Sequence, residues 1–238
     1  MFKLDSIKDR LEQILKWSTF ITVAVSLYMI FIYAPRERVM GDIQRLFYYH
    51  VASAWVAFFA FFVVFVASII YLKKRDRLSN IISLASAEIG VIFTTIVLIT
   101  GPIWARPIWN TWWTWDPRLT TTLILWFIYL AYILIRFSAD DEKTGLLAAI
   151  FGIVGFINVP IVFMSVRWWR SIHPRIVEGG SFNLDPSMFH TLMVSILAIS
   201  LIYLYLLIKR VKVEILAEEL KEVKNLMRKQ RHGNKEEA

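Results

Sequence analysis

The sequence contains no cysteine, so it can supply neither a disulfide nor a thiolate metal ligand. Charged residues are also scarce, at 19% of 238 residues, whereas 57% of the residues are hydrophobic. This balance is too apolar for a soluble domain of this length. The net charge of +8 comes mostly from the segments between apolar runs and from the C-terminal tail, so it does not indicate nucleic-acid binding.

Six apolar runs are long enough to cross a hydrocarbon core of about 30 Å as α-helices. They cover residues 17–34, 50–72, 81–102, 120–137, 146–166 and 187–208. Lipid does not tolerate unpaired backbone, and these runs are too long for barrel strands. The sequence therefore predicts an all-α integral membrane protein, with six transmembrane helices in residues 1–209 and a cytoplasmic amphipathic helical tail in residues 210–238.

Lys and Arg residues are distributed unevenly among the connecting segments. Nineteen of the 27 lie in residues 1–16, 73–77 and 136–143 and in the tail from residue 209, and the other eight lie in the alternate segments. The positive-inside rule then predicts that both termini are cytoplasmic. It also predicts that the segment between spans 3 and 4 is an outer loop.

Proline marks the ends of several predicted helices. Pro35 is predicted to end the first span, and Gly101 with Pro102 to end the third. Asp185 followed by Pro186 has the form of an N-cap with proline at the first helical position, which predicts the start of the sixth span.

Three polar or helix-breaking residues lie within the predicted spans. Pro160 predicts a kink in the fifth span, and Asn158 is expected to take up the backbone groups that the proline frees. Glu88 is the only acid well inside a span. It is interpreted either as a functional group or as a partner in a helix-packing hydrogen bond.

The predicted outer loop contains the stretch IWNTWWTWDPRLT, residues 108–120. Within twelve residues the chain places five of its ten tryptophans: Trp104, Trp109, Trp112, Trp113 and Trp115. The spacing of Trp109, Trp112, Trp113 and Asp116 predicts a short interfacial helix that presents them as one stripe. Such a cluster is typical either of a platform for a flat ligand or of an aromatic belt at the membrane interface.

Two histidines are predicted at the outer membrane boundary, each on a helix. His50 begins the second span, and His190 lies one turn into the sixth. A pair of imidazoles held across a gap could serve as the axial ligands of a haem iron, although a single histidine at a helix end is more often an interfacial polar residue. His173 falls in the last outer loop and is not assigned to the pair.

Arginines on the predicted outer face could pair with the propionates of a haem. The candidates are Arg45, Arg118, Arg167, Arg170 and Arg175. Arg45 and Arg118 are favoured because they lie near the other candidate groups, although arginines beside a membrane also bind lipid head groups. Asp116 could orient an imidazole, accept a hydrogen bond from an indole, or pair with Arg118.

The C-terminal tail carries a short heptad pattern. Apolar residues follow one another at intervals of 3, 4, 3 and 4 at Val213, Leu216, Leu220, Val223 and Met227. The tail is interpreted either as a helix that lies on the membrane or continues the sixth span, or as a docking helix for a cytoplasmic partner.

Two motifs connect the chain with a known family. WNTWWTWDPRLTT resembles the tryptophan-rich signature of the haem-handling proteins of cytochrome c maturation, and SVRWWRSIH before the last span resembles a second motif of their CcmC family. The resemblance covers nearly the whole chain, including the six spans and the order of the motifs. Two residues depart from the family pattern: Asn110 stands where glycine is frequent, and Pro117 separates Asp116 from Arg118.

The resemblance implies a haem b-binding protein of the inner membrane that holds haem at the outer face and delivers it to the haem chaperone CcmE. It implies CcmD and the ABC transporter subunits CcmA and CcmB as further partners, and no enzymatic activity, because haem is attached covalently on the chaperone. The residues that match the family's haem site are His50 and His190 as axial ligands, Trp112, Trp113, Trp115 and Asp116 in the loop, and Arg45 and Arg118 beside the haem.

Two other functions remain open on the sequence. One is a permease in which the aromatic loop is an outer lid, Glu88 a proton relay and Pro160 a hinge. The other is a structural membrane subunit whose tryptophans anchor partner proteins, and this function would tolerate the loss of either histidine.

Overall fold

The computed structural model describes residues 2–138, 142–174, 177–178, 181–182 and 184–236. Within these residues the chain is helical apart from connecting segments and one short antiparallel hairpin. The elements in chain order are α1 (Phe2–Tyr28) with a π-helical turn (Met29–Tyr33), a 3-10 turn (Asp42–Gln44), α2 (Arg45–Lys74), α3 (Arg77–Trp109), α4 (Pro117–Ser138), α5 (Glu142–Phe156), α6 (Asn158–Trp168), β1 (Val177–Glu178), β2 (Ser181–Phe182) and α7 (Pro186–Glu236).

Six helical segments of the described chain are long and apolar enough to cross a membrane. They are Asp9–Tyr33, Asp42–Lys74, Arg77–Trp109, Pro117–Ser138, Glu142–Trp168 and Pro186–Arg228. Each coincides with one predicted run and extends beyond it on at least one side. The predicted all-α architecture with six spans is therefore confirmed.

The end of α3 differs from the prediction. The helix passes through Gly101 and Pro102 without ending and continues to Trp109. Glycine and proline are tolerated inside helices of this kind because the surrounding helix still satisfies most backbone groups. The helix ends instead at Asn110, which adopts the left-handed conformation with φ 55°.

The fifth span is interrupted close to the predicted position. Helix α5 ends at Phe156 and α6 begins at Asn158, because Pro160 has no N–H to donate to the preceding turn. Asn158 was predicted to bond the backbone groups that Pro160 frees, but the structure shows a different partner. Its side-chain amide donates to the Thr121 carbonyl of α4 at 3.0 Å, so it joins two helices rather than repairing its own.

The helices pack around a buried aromatic and aliphatic core. Phe61 of α2 stacks on Tyr129 of α4 with ring centroids 3.7 Å apart. Gly90 of α3 allows this close packing, since a Cβ there would lie 2.6 Å from the Phe61 ring. Small residues at such crossings let helices in a membrane approach closely.

The bundle has two ends, which the contacts between elements define. One, here called the tryptophan end, contains the last turns of α1, α3 and α6 and the first turns of α2, α4 and α7. At the opposite end, called the tail end, Lys209 and Lys212 of α7 pair with Glu12 of α1. At the tryptophan end, Asp185 caps α7 and accepts from Ser187 N at 2.9 Å, as predicted.

Helix α7 continues without interruption from the sixth span into the tail. Arg210 donates to both carboxylate oxygens of Glu88 on α3, at 2.6 and 3.0 Å. Glu88 therefore acts in helix packing, the second of its two interpretations. The residues of the heptad pattern are all exposed, from 52% for Val223 to 65% for Met227.

Candidate functional site

A partly open cavity of about 290 Å³ lies at the tryptophan end between α2, α3, α4, α6 and the segment that follows α6. Its ionisable groups are His50, His173 and Arg118, and four tryptophans line its wall: Trp55, Trp104, Trp109 and Trp113. Deeper in the bundle the lining is mostly apolar. The cavity thus combines two imidazoles, one guanidinium and indole surfaces above an apolar base, which are features of a ligand site.

His50 lies in the second turn of α2 and is held by α3. Its Nδ1 atom is 2.9 Å from the Thr100 hydroxyl oxygen. Gly101 provides space beside the ring, because a Cβ at that position would approach His50 Cε1 to 3.4 Å. The rigid helix and the Thr100 contact fix the direction in which the imidazole faces the cavity.

His173 lies in the segment after α6, and its ring is also held by a hydrogen bond. Nδ1 is 3.1 Å from the Pro174 carbonyl oxygen. Burial, together with smaller contributions from Arg118 and His50, lowers the pKa of His173 to about 3. The imidazole is therefore neutral at physiological pH and has a lone pair available for a metal ion.

The position of His173 depends on Asp116, which joins the tryptophan loop to the segment after α6. One carboxylate oxygen accepts from Arg118 N at 2.9 Å and from the Ser171 hydroxyl at 3.0 Å, and the other accepts from Ile172 N at 3.0 Å. Asp116 is buried and also caps the start of α4. Its contacts in this segment are with the two residues that precede His173.

The tryptophan loop does not form the predicted short helix. Residues 111–116 are irregular because α3 ends at Asn110 and a new helix begins after Asp116. Trp109 and Trp113 face the cavity, whereas Trp112 and Trp115 are exposed by 59% and 76%. The loop therefore has two separate surfaces rather than one stripe.

Two indole nitrogens at the cavity are buried without an acceptor among the described residues: Nε1 of Trp104 and Nε1 of Trp113. A buried N–H without a partner is costly, roughly 1–3 kcal/mol, so such groups usually have a ligand or water to bond. Both belong to residues that line the cavity. They fit a ligand that carries acceptor oxygens, such as carboxylates.

The amino-acid sequence is similar to known proteins over most of its length. The sequence profile of the family CcmC, Heme exporter protein C, matches residues 3–226. The chain belongs to the heme exporter protein C family. Similar relatives named Heme exporter protein C are those of Bradyrhizobium diazoefficiens, 34% identical over 88% of this chain and 81% of the relative, and Escherichia coli K12, 33% identical over 90% of each chain. That of Rhodobacter capsulatus is 31% identical over 88% of this chain and 89% of its own length.

The backbone conformation at Asn110 explains one departure from the family motif. Asn110 occupies a left-handed position with φ 55°, where glycine is the least strained residue and asparagine is the next best tolerated. Arg106 stabilises this turn by donating to the Asn110 carbonyl at 2.7 Å. Asparagine is therefore compatible with the left-handed conformation at this position.

Two other predicted residues, His190 and Arg45, lie away from the cavity lining. His190 is exposed on α7, with Nδ1 3.4 Å from the Tyr33 hydroxyl. Arg45 donates to the Ile30 and Phe31 carbonyls at 2.8 and 2.5 Å, which are among the groups at the π-helical end of α1. Arg175 lies outside the described residues.

Sequence reasoning did not assign His173 to the site. The signal was present, because His173 is the last residue of the SVRWWRSIH motif that was matched to the family. His173 lies in a loop and not at a span boundary, so its side-chain direction cannot be predicted from helical periodicity. The contacts of Asp116 supply that direction in the structure.

Proposed function

We propose that this chain binds haem b at the tryptophan end, with His50 and His173 as the axial ligands, and presents it to the haem chaperone CcmE. The observation that carries this proposal is that the two histidines share one cavity. One lies on a rigid helix and the other on a segment held by Asp116, so two independent elements bring imidazoles to the same space. Axial ligation by imidazole is an established way of holding haem iron.

His173 is proposed in place of His190 as the second ligand. The exposed ring of His190 lies near the Tyr33 hydroxyl and does not line the cavity, whereas His173 lines the same cavity as His50. A ligand pair must reach one iron atom, and the shared cavity supports only the His50 and His173 pair among the described residues.

The remaining cavity groups complement the rest of a haem. Arg118 offers a guanidinium to a propionate, and the indole N–H groups of Trp104 and Trp113 offer further donors to its oxygens. The flat indole faces and the apolar lining suit the macrocycle. Arg45, which already bonds two carbonyls, supports the end of α1 rather than the haem itself.

Presentation to a partner is assigned to the exposed surface of the loop. Trp112 and Trp115 point away from the cavity, and tryptophan is among the residues that contribute most to protein interfaces. CcmE is the proposed partner there, within an assembly that also contains CcmA, CcmB and CcmD. The covalent attachment of haem belongs to the chaperone, so no catalytic residue is assigned to this chain.

The tryptophan end is proposed to face the periplasm, with both termini in the cytoplasm and the chain in the inner membrane. The support is the excess of Lys and Arg in the segments of the tail end. A permease mechanism has less support, because the acid expected to relay protons, Glu88, is bound bidentately by Arg210.

The test is the absorption spectrum of the full chain purified in detergent from haem-replete cells. Wild type is compared with His50→Ala, His173→Ala and His190→Ala. We expect a low-spin spectrum that the first two changes alter and the third leaves intact. Loss of the spectrum in His190→Ala with no change in His173→Ala would refute the proposed pair and restore His190 as the ligand. Unchanged haem content in a double His50 and His173 variant would refute haem binding at this site altogether.

A further inference from the structure

Thr100 of α3 contacts both His50 and its own helix. Its hydroxyl oxygen is 2.9 Å from His50 Nδ1 and 2.7 Å from the Ile96 carbonyl oxygen. A hydroxyl has one proton to donate, and a carbonyl can only accept. If the proton goes to Ile96, the hydroxyl oxygen accepts from His50, and Nδ1 must then carry the imidazole proton.

Thr95 on the same helix also bonds a carbonyl of its own helix and a ring nitrogen of another helix, and that nitrogen can only donate. Thr95 lies 2.8 Å from the Val91 carbonyl and 2.8 Å from Nε1 of Trp126. An indole nitrogen is always a donor, so the Thr95 hydroxyl accepts from it and donates to Val91. The matching distances at Thr100 support the same direction of both hydrogen bonds.

The other histidine of the cavity has the same tautomer for an independent reason. Nδ1 of His173 faces the Pro174 carbonyl, which can only accept, so this nitrogen also carries the proton. Nε2 is then the nitrogen with the available lone pair on both rings. A pair of rings in this state can hold one iron between them, whereas a ring with its proton on Nε2 cannot bind iron through that atom.

We propose that Thr100 is a positioning residue that fixes His50 in the tautomer with a proton on Nδ1 and makes its Nε2 a stronger ligand for ferric haem iron. The proposal rests on the haem-binding function argued above. A hydrogen bond from Nδ1–H to an acceptor raises the basicity of the opposite nitrogen and fixes the ring orientation. For His173 the acceptor is a main-chain carbonyl, but for His50 it is a side chain that substitution can remove.

The test compares Thr100→Val, which keeps the shape and removes the hydroxyl, with Thr100→Ser, which keeps the hydroxyl. The matched control is Thr95→Val, which removes the equivalent hydroxyl one and a half turns away on the same helix. Each full-length variant is purified in detergent, titrated with ferric haem, and measured for the reduction potential of the bound haem.

We expect Thr100→Val to weaken ferric haem binding about 10- to 100-fold, the usual effect of losing such an outer partner. It should also raise the reduction potential, because a less basic imidazole stabilises ferric iron less. Thr100→Ser should restore both properties, and Thr95→Val should leave the potential unchanged.

Two results would overturn the proposal without affecting the haem site: Thr100→Val with wild-type affinity and potential, or Thr100→Ser with the same defects as valine. A third, His50→Ala with wild-type haem affinity and spectrum, would instead refute the proposed ligand and with it the role of Thr100. The Thr95→Val control separates a general loss of stability from a weaker His50 ligand, because only a weaker ligand changes the reduction potential of the bound haem.

Discussion

Replacement of Asp116 by asparagine should weaken haem binding without touching the haem ligands. The carboxylate holds Ile172 N with one oxygen and both Arg118 N and the Ser171 hydroxyl with the other. An amide of the same shape can replace only one of these oxygens as an acceptor. Its NH₂ group then faces a donor, so at least one charge-assisted hydrogen bond is lost, at a cost of about 1.5–3 kcal/mol.

This energy acts on the segment that positions His173. Haem binds only when this segment holds His173 in the cavity. A cost of about 1.5–3 kcal/mol for reaching that state lowers the apparent affinity for haem by roughly 10- to 150-fold. The assay is a haem titration of the full chain followed by absorbance, with thermal unfolding of the haem-free protein alongside.

Asp185→Asn is the matched control for this prediction. Asp185 also precedes a proline and caps a helix by accepting from Ser187 N, and among the described residues it has no hydrogen bond to Ser171, Ile172 or His173. We expect a small loss of stability and unchanged haem affinity. The reasoning would be refuted if Asp116→Asn bound haem as the wild type does, or if Asp185→Asn weakened binding equally.

Three further predictions concern charge, packing and protonation. Arg118→Gln should weaken haem binding about tenfold through loss of a charged hydrogen bond, whereas Arg167→Gln, outside the cavity lining, should not, by the same titration. Gly90→Ala should lower the unfolding free energy by about 1–3 kcal/mol, because its Cβ would meet the Phe61 ring at 2.6 Å, with the haem spectrum unchanged. Because the pKa of His173 is lowered to about 3, its ring should stay neutral by NMR between about pH 8 and about pH 5. The unfolded chain takes up that proton below about pH 6.5, so the haem-free protein should lose stability as the pH falls further.

The spans could be predicted from the sequence because each is a long apolar run, and burial in a bilayer depends on little else. Helix ends were predicted well where a side chain acts on its own neighbours, as with the Asp185 cap. The predicted helix end at Gly101 and Pro102 was wrong, because local propensity favours a stop there but the surrounding helix tolerates both residues.

The site was predicted less well because its geometry comes from contacts distant in sequence. Residues of the loop 111–116 were assigned helical periodicity, but Asn110 and Asp116 end one helix and begin the next. His173 reaches the cavity because Asp116, more than fifty residues earlier, binds Ser171 and Ile172. Neither spacing nor composition contains that information.

The unbroken course of α7 joins the tail to the tryptophan end. Its 51 residues, at about 1.5 Å each, give a rod of about 75 Å, more than twice the thickness of the hydrocarbon core. Arg210 joins it to Glu88 near the middle, and Arg77 holds Glu218 further along. The half of the rod before Arg210 packs against α1, α2 and α3, and the half beyond it carries the exposed heptad residues. A partner that binds the tail would therefore bind the same continuous helix that reaches the tryptophan end beside Tyr33.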